Sequence, residues 1–262
     1  MKKRTGFYAI WVLVIVWIST VMSVTAQSQE NDAKLILKSM SDYVGSLNTI
    51  ELSFDSEIEI ITPQLEKIQF TNSGEALLSR PDKLRTRRIS SHADVTMFFD
   101  GRTVSIYGKD INGFAQFEAP GSIDDLLHAL REGHGVALPG ADLLLSDSYE
   151  ILVADVMEAK VIGLGIIDGV ECEHLAFRNF DTDWQLWVEA GENPIPRKMV
   201  ITSKTINSAP QYTIRIKSWK TGVDPIPNAF TFNPPADAKI LDHNSLLELD
   251  ELPPGTPEGG YK

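Results

Sequence analysis

The chain has 262 residues, 43% of them hydrophobic, a formal net charge of −12 and a single cysteine. That composition supports a hydrophobic core of ordinary size and excludes a disordered chain. It also excludes an internal disulfide and a general electrostatic attraction to nucleic acid or an anionic membrane surface.

The first 26 residues read as an export signal. Lys2, Lys3 and Arg4 form a basic start, Phe7 to Ile18 an apolar core, and Val24 to Ala26 a small-residue cleavage site before Gln27. The alternative is an uncleaved anchor, since the apolar run extends toward Val24. Residues 1–26 hold three basic and no acidic groups, so cleavage takes the net charge from −12 to −15. No cysteine stands near the cleavage point to accept a lipid. No other segment has the length and apolarity to span a bilayer, so no stable membrane anchor is expected.

From Asn31 or Asp32 the pattern predicts an amphipathic helix at about 33–46, with Ile36, Met40, Tyr43 and Leu47 at helical spacing. The period then changes to two. Ile50, Leu52, Phe54, Ile58 and Ile60 share one strand face and acidic residues the other. A second strand carries Ile68, Phe70, Ala76 and Leu78, with Gly74 as a kink. Pro81 and Asp82 turn the chain. Hairpins are expected at Asp100-Gly101 and Asp168-Gly169, where the dipeptide supplies the left-handed turn of a two-residue loop. Further strands are expected at 183–189, 196–205 and 210–220.

A helical insertion interrupts the strands. Ser122 and Asp125 form a capping box, Leu126, Leu127 and Leu130 follow, and Gly133 is the expected stop. A second short helix is expected near Pro139 or Gly140. The tail from Asp242 is acidic, then rich in Pro and Gly, and reads as mobile. The total is about nine antiparallel strands in one domain over 27–241, with 242–262 as the tail.

Cys172 and His174 lie two apart and share a strand face, but no metal-ligand spacing accompanies them. His92, His128, His134 and His243 are scattered. A thiol nucleophile needs an activating environment that the sequence does not mark, so the pair reads as a packed strand. Glu171, Glu173, Asp181 and Asp183 read as solvating carboxylates rather than an acid–base pair. No dinucleotide, phosphate or nucleophile-elbow motif is present. The sequence indicates no enzyme, metal or cofactor.

Arg80, Lys83, Arg85, Arg87 and Arg88 put five cations into nine residues of an acidic protein. They are either a solvated strand face or an anion contact, through a lipid headgroup, an acidic partner or a lid hydrogen bond. The large apolar residues Phe54, Ile58, Phe70, Met97, Phe99, Trp184, Leu186, Tyr212 and Ile214 need a cover if they line a concave sheet. Helices can fill that space permanently, or yield it to an acyl chain.

The segments "GEALLSRPDKLR" and "DGRTVSIYGKDIN" resemble the strand–turn–strand motifs of LolA/LolB-type periplasmic lipoprotein carriers. "MSDYVGSL", "FFDG", "LPGADLL", "ECEHLAFR", "DWQLW" and "FTFNPPADAK" resemble, over about 33–241, the predicted periplasmic family known as domain of unknown function 2092. The resemblance implies a periplasmic location and a mainly antiparallel α+β fold: a half-open β-barrel with an N-terminal helix and a helical lid or plug. It also implies a lipid or acylated molecule, such as a lipoprotein, in the concavity, met by Arg80, Arg85 or Arg87. Leu84 departs from the carriers' aromatic residue before the arginine, and no lipid-modified cysteine is present. The alternative is an interaction module with a plugged cavity that meets an envelope protein through its sheet edge.

Overall fold

The computed structural model describes residues 30–134 and 139–241. The expected signal segment and acidic tail lie outside these residues. The first helix, α1, spans 30–46 and buries Ala33, Leu37, Met40 and Val44, all fully inaccessible. This stripe is rotated by about one residue from the expected one, and Ile36, Tyr43 and Leu47 flank it. Lys34–Glu30 and Lys38–Asp42 ion pairs at i,i+4 occupy the wet side.

Helix α1 leads into β1 (Thr49–Ile61) and β2 (Lys67–Ser79), which pair along their whole length from Thr49↔Ser79 to Ile61↔Lys67. Strict alternation fixes this register, because a slip of one residue would turn the apolar face to water. Gly74 stands opposite Phe54, at the point where β1 shifts register against its other neighbour. A Cβ there would collide with the Phe54 ring, so the absence of a side chain at Gly74 lets the ring lie flat on the sheet.

The chain then steps outward strand by strand through β3 (Lys83–Ile89), β4 (Asp94–Phe99), β5 (Thr103–Gly108) and β6 (Gly113–Glu118). It crosses by α2 (Ile123–His134), a 3₁₀ turn (Ala141–Leu144) and α3 (Ser148–Val153). It returns through β7 (Glu158–Ile167), β8 (Val170–Arg178), β9 (Thr182–Glu189), β10 (Pro196–Ser203) and β11 (Gln211–Thr221). The short β12 (Lys239–Ile240) closes the described chain beside β6. Twelve strands form one sheet in the order β12-β6-β5-β4-β3-β2-β1-β11-β10-β9-β8-β7. All neighbours are antiparallel except β12 and β6. The sheet is open, with β12 and β7 as its edges, so the fold is the half-open form the sequence implied. Strands β6 and β12 were not expected, while β3 is the strand face that was one reading of Lys83 to Arg88.

The insertion is capped as expected. The Ser122 hydroxyl donates to Asp125 (2.7 Å), which also accepts the Ser122 N–H (2.8 Å). Helix α2 continues through Gly133, and the expected second helix divides into the 3₁₀ turn and α3. Laid flat, twelve strands would span roughly 50 Å. Yet Leu84, Phe99 and Val104 of one half, and Leu175, Trp184 and Leu186 of the other, belong to one core cluster with α1 and α2. The sheet therefore curls around its helices. On the opposite face, Phe232 of the C-terminal segment packs on Phe98, Tyr107 and Phe114 at 5.2–5.6 Å.

The two Asp-Gly turns differ. Asp168 and Gly169 both take positive φ (49° and 82°), the two-residue turn that was expected. At the other, only Gly101 does (92°). The Asp100 carboxylate instead accepts the N–H groups of Arg102 (3.0 Å) and Thr103 (2.8 Å), a side-chain turn in which Asp100 does not take a positive φ.

Gly74→Ala is expected to destabilise the fold by about 1–3 kcal/mol in urea unfolding, the usual cost of overpacking. Phe54→Leu made on top is expected to recover part of that loss. Simple additivity of the two would show that the ring does not set the requirement for glycine.

Candidate functional site

All nine large apolar residues singled out in the sequence lie on the helix-covered face of the sheet, within the core or packed against it. Ile58 pairs across β1 and β11 with Tyr212, and Met199 bridges Ile214 and Leu186. Trp184 stacks on Phe177 at 3.9 Å. The cover is uneven. Ile58, Phe99 and Leu186 are completely inaccessible, and Trp184, Tyr212 and Ile214 nearly so. Phe54, Phe70 and Met97 are only half-buried, as are Ile106 on β5 and Phe117 on β6. Sequence reading passed over the last two. Ile106 alternates with Val104 in its hairpin, and Phe117 with Ala115 in a strand too short and glycine-led to recognise.

Polar contacts tie the cover to the sheet around Arg80 and Pro81 and brace the insertion internally. Arg80, at the end of β2, donates Nε to the Leu47 carbonyl (3.1 Å) and a terminal nitrogen to the Leu144 carbonyl (2.6 Å). It thereby joins α1, the sheet and the insertion. Burial pushes its guanidinium below its usual value, while Asp124 works in the other direction. The Ile123 N–H reaches the Pro81 carbonyl (2.8 Å), Asp124 binds Ser146, and Arg131 pairs with Asp142 at 2.5 Å. A Cβ at Gly45 would lie 2.8 Å from the Ser146 carbonyl oxygen, so α1 and the insertion touch closely there.

Arg85 and Arg87 stand apart from this wall. Arg85 pairs across the strands with Phe98 and lies 5.4 Å over its ring, while Arg87 alternates with it on the same face. That face is opposite the one carrying Met97 and Phe99. Arg87 is held by both oxygens of Asp94 (2.8 and 2.7 Å). Of the three cations, Arg80 alone touches the helical cover.

Cys172 and His174 do share a face, on the far side of the sheet from the core wall. The Cys172 thiol is completely inaccessible, and burial pushes its pKa up, away from the nucleophilic thiolate. His174 stacks on Trp187 at 4.1 Å and bonds Gln185 through Nε2 (2.9 Å). The Lys198 ammonium also lies over the Trp187 ring, 5.1 Å from its centroid. These contacts are those of a packed strand surface. Among the described residues no group of three or more His, Cys, Asp or Glu is placed to hold a metal ion.

The chain matches, over residues 33–242, the family described as predicted periplasmic protein (DUF2092), and belongs to it. The protein is periplasmic. No curated protein matches its sequence. Among solved structures it is similar to an uncharacterized conserved protein from Thermus thermophilus, with 10% identity, 80% of this chain and 98% of that one covered, and a TM-score of 0.48. LprF from Mycobacterium bovis is similar with 13% identity, 77% and 99% coverage, and a TM-score of 0.45. The lipoprotein LppX from Mycobacterium tuberculosis is similar with 10% identity, 74% and 98% coverage, and a TM-score of 0.39.

Two outcomes are expected. Hydrogen bonds from Arg87 hold the Asp94 carboxyl below its ordinary value of 3.8. Its contribution to stability is therefore full above that pH and is lost as the pH falls further, through the folded-state value. Asp94→Asn should flatten the acid limb of a stability–pH curve below about pH 4; an unchanged acid limb would deny the ion pair that role. Cys172 should resist a neutral thiol reagent at about pH 8 until urea unfolds the chain, given its raised pKa. Stoichiometric labelling of the folded protein would contradict its burial.

Proposed function

We propose that the protein is a non-enzymatic periplasmic carrier that binds an acyl-bearing, hydrophobic molecule between the curled sheet and its inserted helices. On this reading, 27–241 act as one domain and the insertion as a lid. The reading rests on one observation: a single face of an open sheet bears large apolar side chains, and a helical connection covers it unevenly. The ligand enters on the side of Phe54, Phe70 and Met97, where the wall is half-exposed, and the insertion moves outward to admit it. Burial of apolar surface supplies about 25 cal/mol per Å², less the cost of association and of ordering the chain.

A second reading has its own support. Ile58, Phe99 and Leu186 are already completely inaccessible, as in a permanently filled core. The protein would then be an interaction module.

The expected result is a discrete added mass on native mass spectrometry of the mature protein purified without detergent, identified as a lipid after organic extraction. Phe70→Gln should weaken uptake of a fluorescent acyl probe by about tenfold or more, the worth of burying one large apolar side chain. A bare polypeptide mass, together with no probe uptake by folded protein, would overturn the carrier in favour of the filled core.

A further inference from the structure

The β1–β2 hairpin outruns its neighbour. Pairing between β2 and β3 ends at Ser73↔Ile89, while pairing between β1 and β2 continues to Ile61↔Lys67. Beyond Ile89 the chain turns back, with the Ser90 N–H bonded to the Ala93 carbonyl (2.8 Å), and enters β4. Among the described residues no strand pairs with Lys67–Asn72 on the β3 side. The backbone N–H and C=O groups on that side form an unfilled ladder inside the sheet.

This gap is a cavity of about 640 Å³, bounded by residues 55–57 of β1, 69–73 of β2 and the turn at 89–92. Two of its lining side chains are buried and without partners. Ser56 (1% exposed) and Asn72 (4%) face each other across β1 and β2. Neither the Ser56 hydroxyl nor either end of the Asn72 amide makes a hydrogen bond. Buried amides in folded proteins are nearly always bonded, so these groups call for a ligand with hydrogen-bonding atoms. The lining holds no Lys or Arg and includes the Asp55 and Glu57 carboxylates, which accept from Ser73 (2.7 Å) and Gln69 (3.3 Å).

We propose that this notch is a strand-addition site that takes an extended polypeptide segment of a partner protein. Backbone pairing along Lys67–Asn72 supplies the binding. A Ser, Thr, Asn or Gln side chain on the added strand, opposite Asn72, meets the amide. Lys or Arg on the outward face of that strand answers Asp55 and Glu57. An acyl chain has no groups to fill a ladder, and an anionic headgroup meets like charge in the lining. The notch borders the mouth of the carrier site, since Phe70 lines both, but the pairing uses the free backbone edge of Lys67–Asn72 and not the helix-covered wall.

The test uses the mature full chain and a displayed library of random twelve-residue peptides. Enriched peptides should alternate polar and basic residues, and should slow amide hydrogen exchange in residues 67–73. N-methylation of alternate peptide amides should abolish binding. Asn72→Leu should weaken binding by at least about tenfold, roughly the value of one hydrogen bond to a buried partner, and leave the fold as stable or more so. Lack of enrichment by a folded protein would overturn the proposal. So would peptides that leave 67–73 unprotected or tolerate N-methylation. Protection of 67–73 by an acyl probe instead of a peptide would assign the notch to the apolar-ligand site and also overturn it.

Discussion

The helical insertion has to begin beside one edge of the sheet, after β6, and end at the other, before β7. Six strands lay themselves outward from β1, and the next five must return to pair with β1 from the far side. The connection between β6 and β7 therefore crosses the full width of the sheet. It can do so over one face only, and that face becomes the core. Buried leucines on α2 and on the 3₁₀ turn make the crossing favourable. The curl of the sheet follows, because only a curled sheet brings Leu84 and Leu175 into one core with the same helices.

That single crossing separates the molecule into two chemical surfaces. The inner wall is aliphatic and aromatic. The outer face carries the Arg87–Asp94 ion pair, the Arg85–Phe98 contact, the His174–Trp187 stack and the cluster around Phe232. Arginines that are neighbours in sequence are divided between different tasks. Arg80 sits beyond the last strand pair and turns inward to carbonyls of the cover; Arg85 and Arg87 lie within β3 and point out. A run of cations in a strand segment is therefore not one patch.

Uneven cover and uneven pairing have a common origin. The long β1–β2 hairpin, thirteen residues on each side, extends past the shorter β3, of seven. Where it does so, the backbone of β2 loses its neighbour, and Phe70 is only half-buried. Asn72 and Ser56 occupy the same stretch, inner-face positions where the rest of β1 and β2 carries apolar residues.

Much of this was legible in the one-dimensional pattern. Period-two alternation in 50–60, the capping box at Ser122 and Asp125, and the Asp168-Gly169 turn are local, each set by neighbours within a few residues. The apolar set from Phe54 to Ile214 was legible too, because strand parity alone puts its members on one face. Strand β6 was not, since its sequence is short and glycine-led and its pairing partner, not its propensity, holds it in place. Which face is covered, which arginine reaches the cover, and where β2 runs unpaired depend on relative strand lengths and on a crossing between distant edges. Such contacts join residues far apart in the chain, and no local pattern encodes the side from which a neighbour arrives. The elements and their apolar faces belong to the sequence; the curl, the cover and the notch belong to the tertiary structure, because only packing decides which polar and apolar groups are left without a partner.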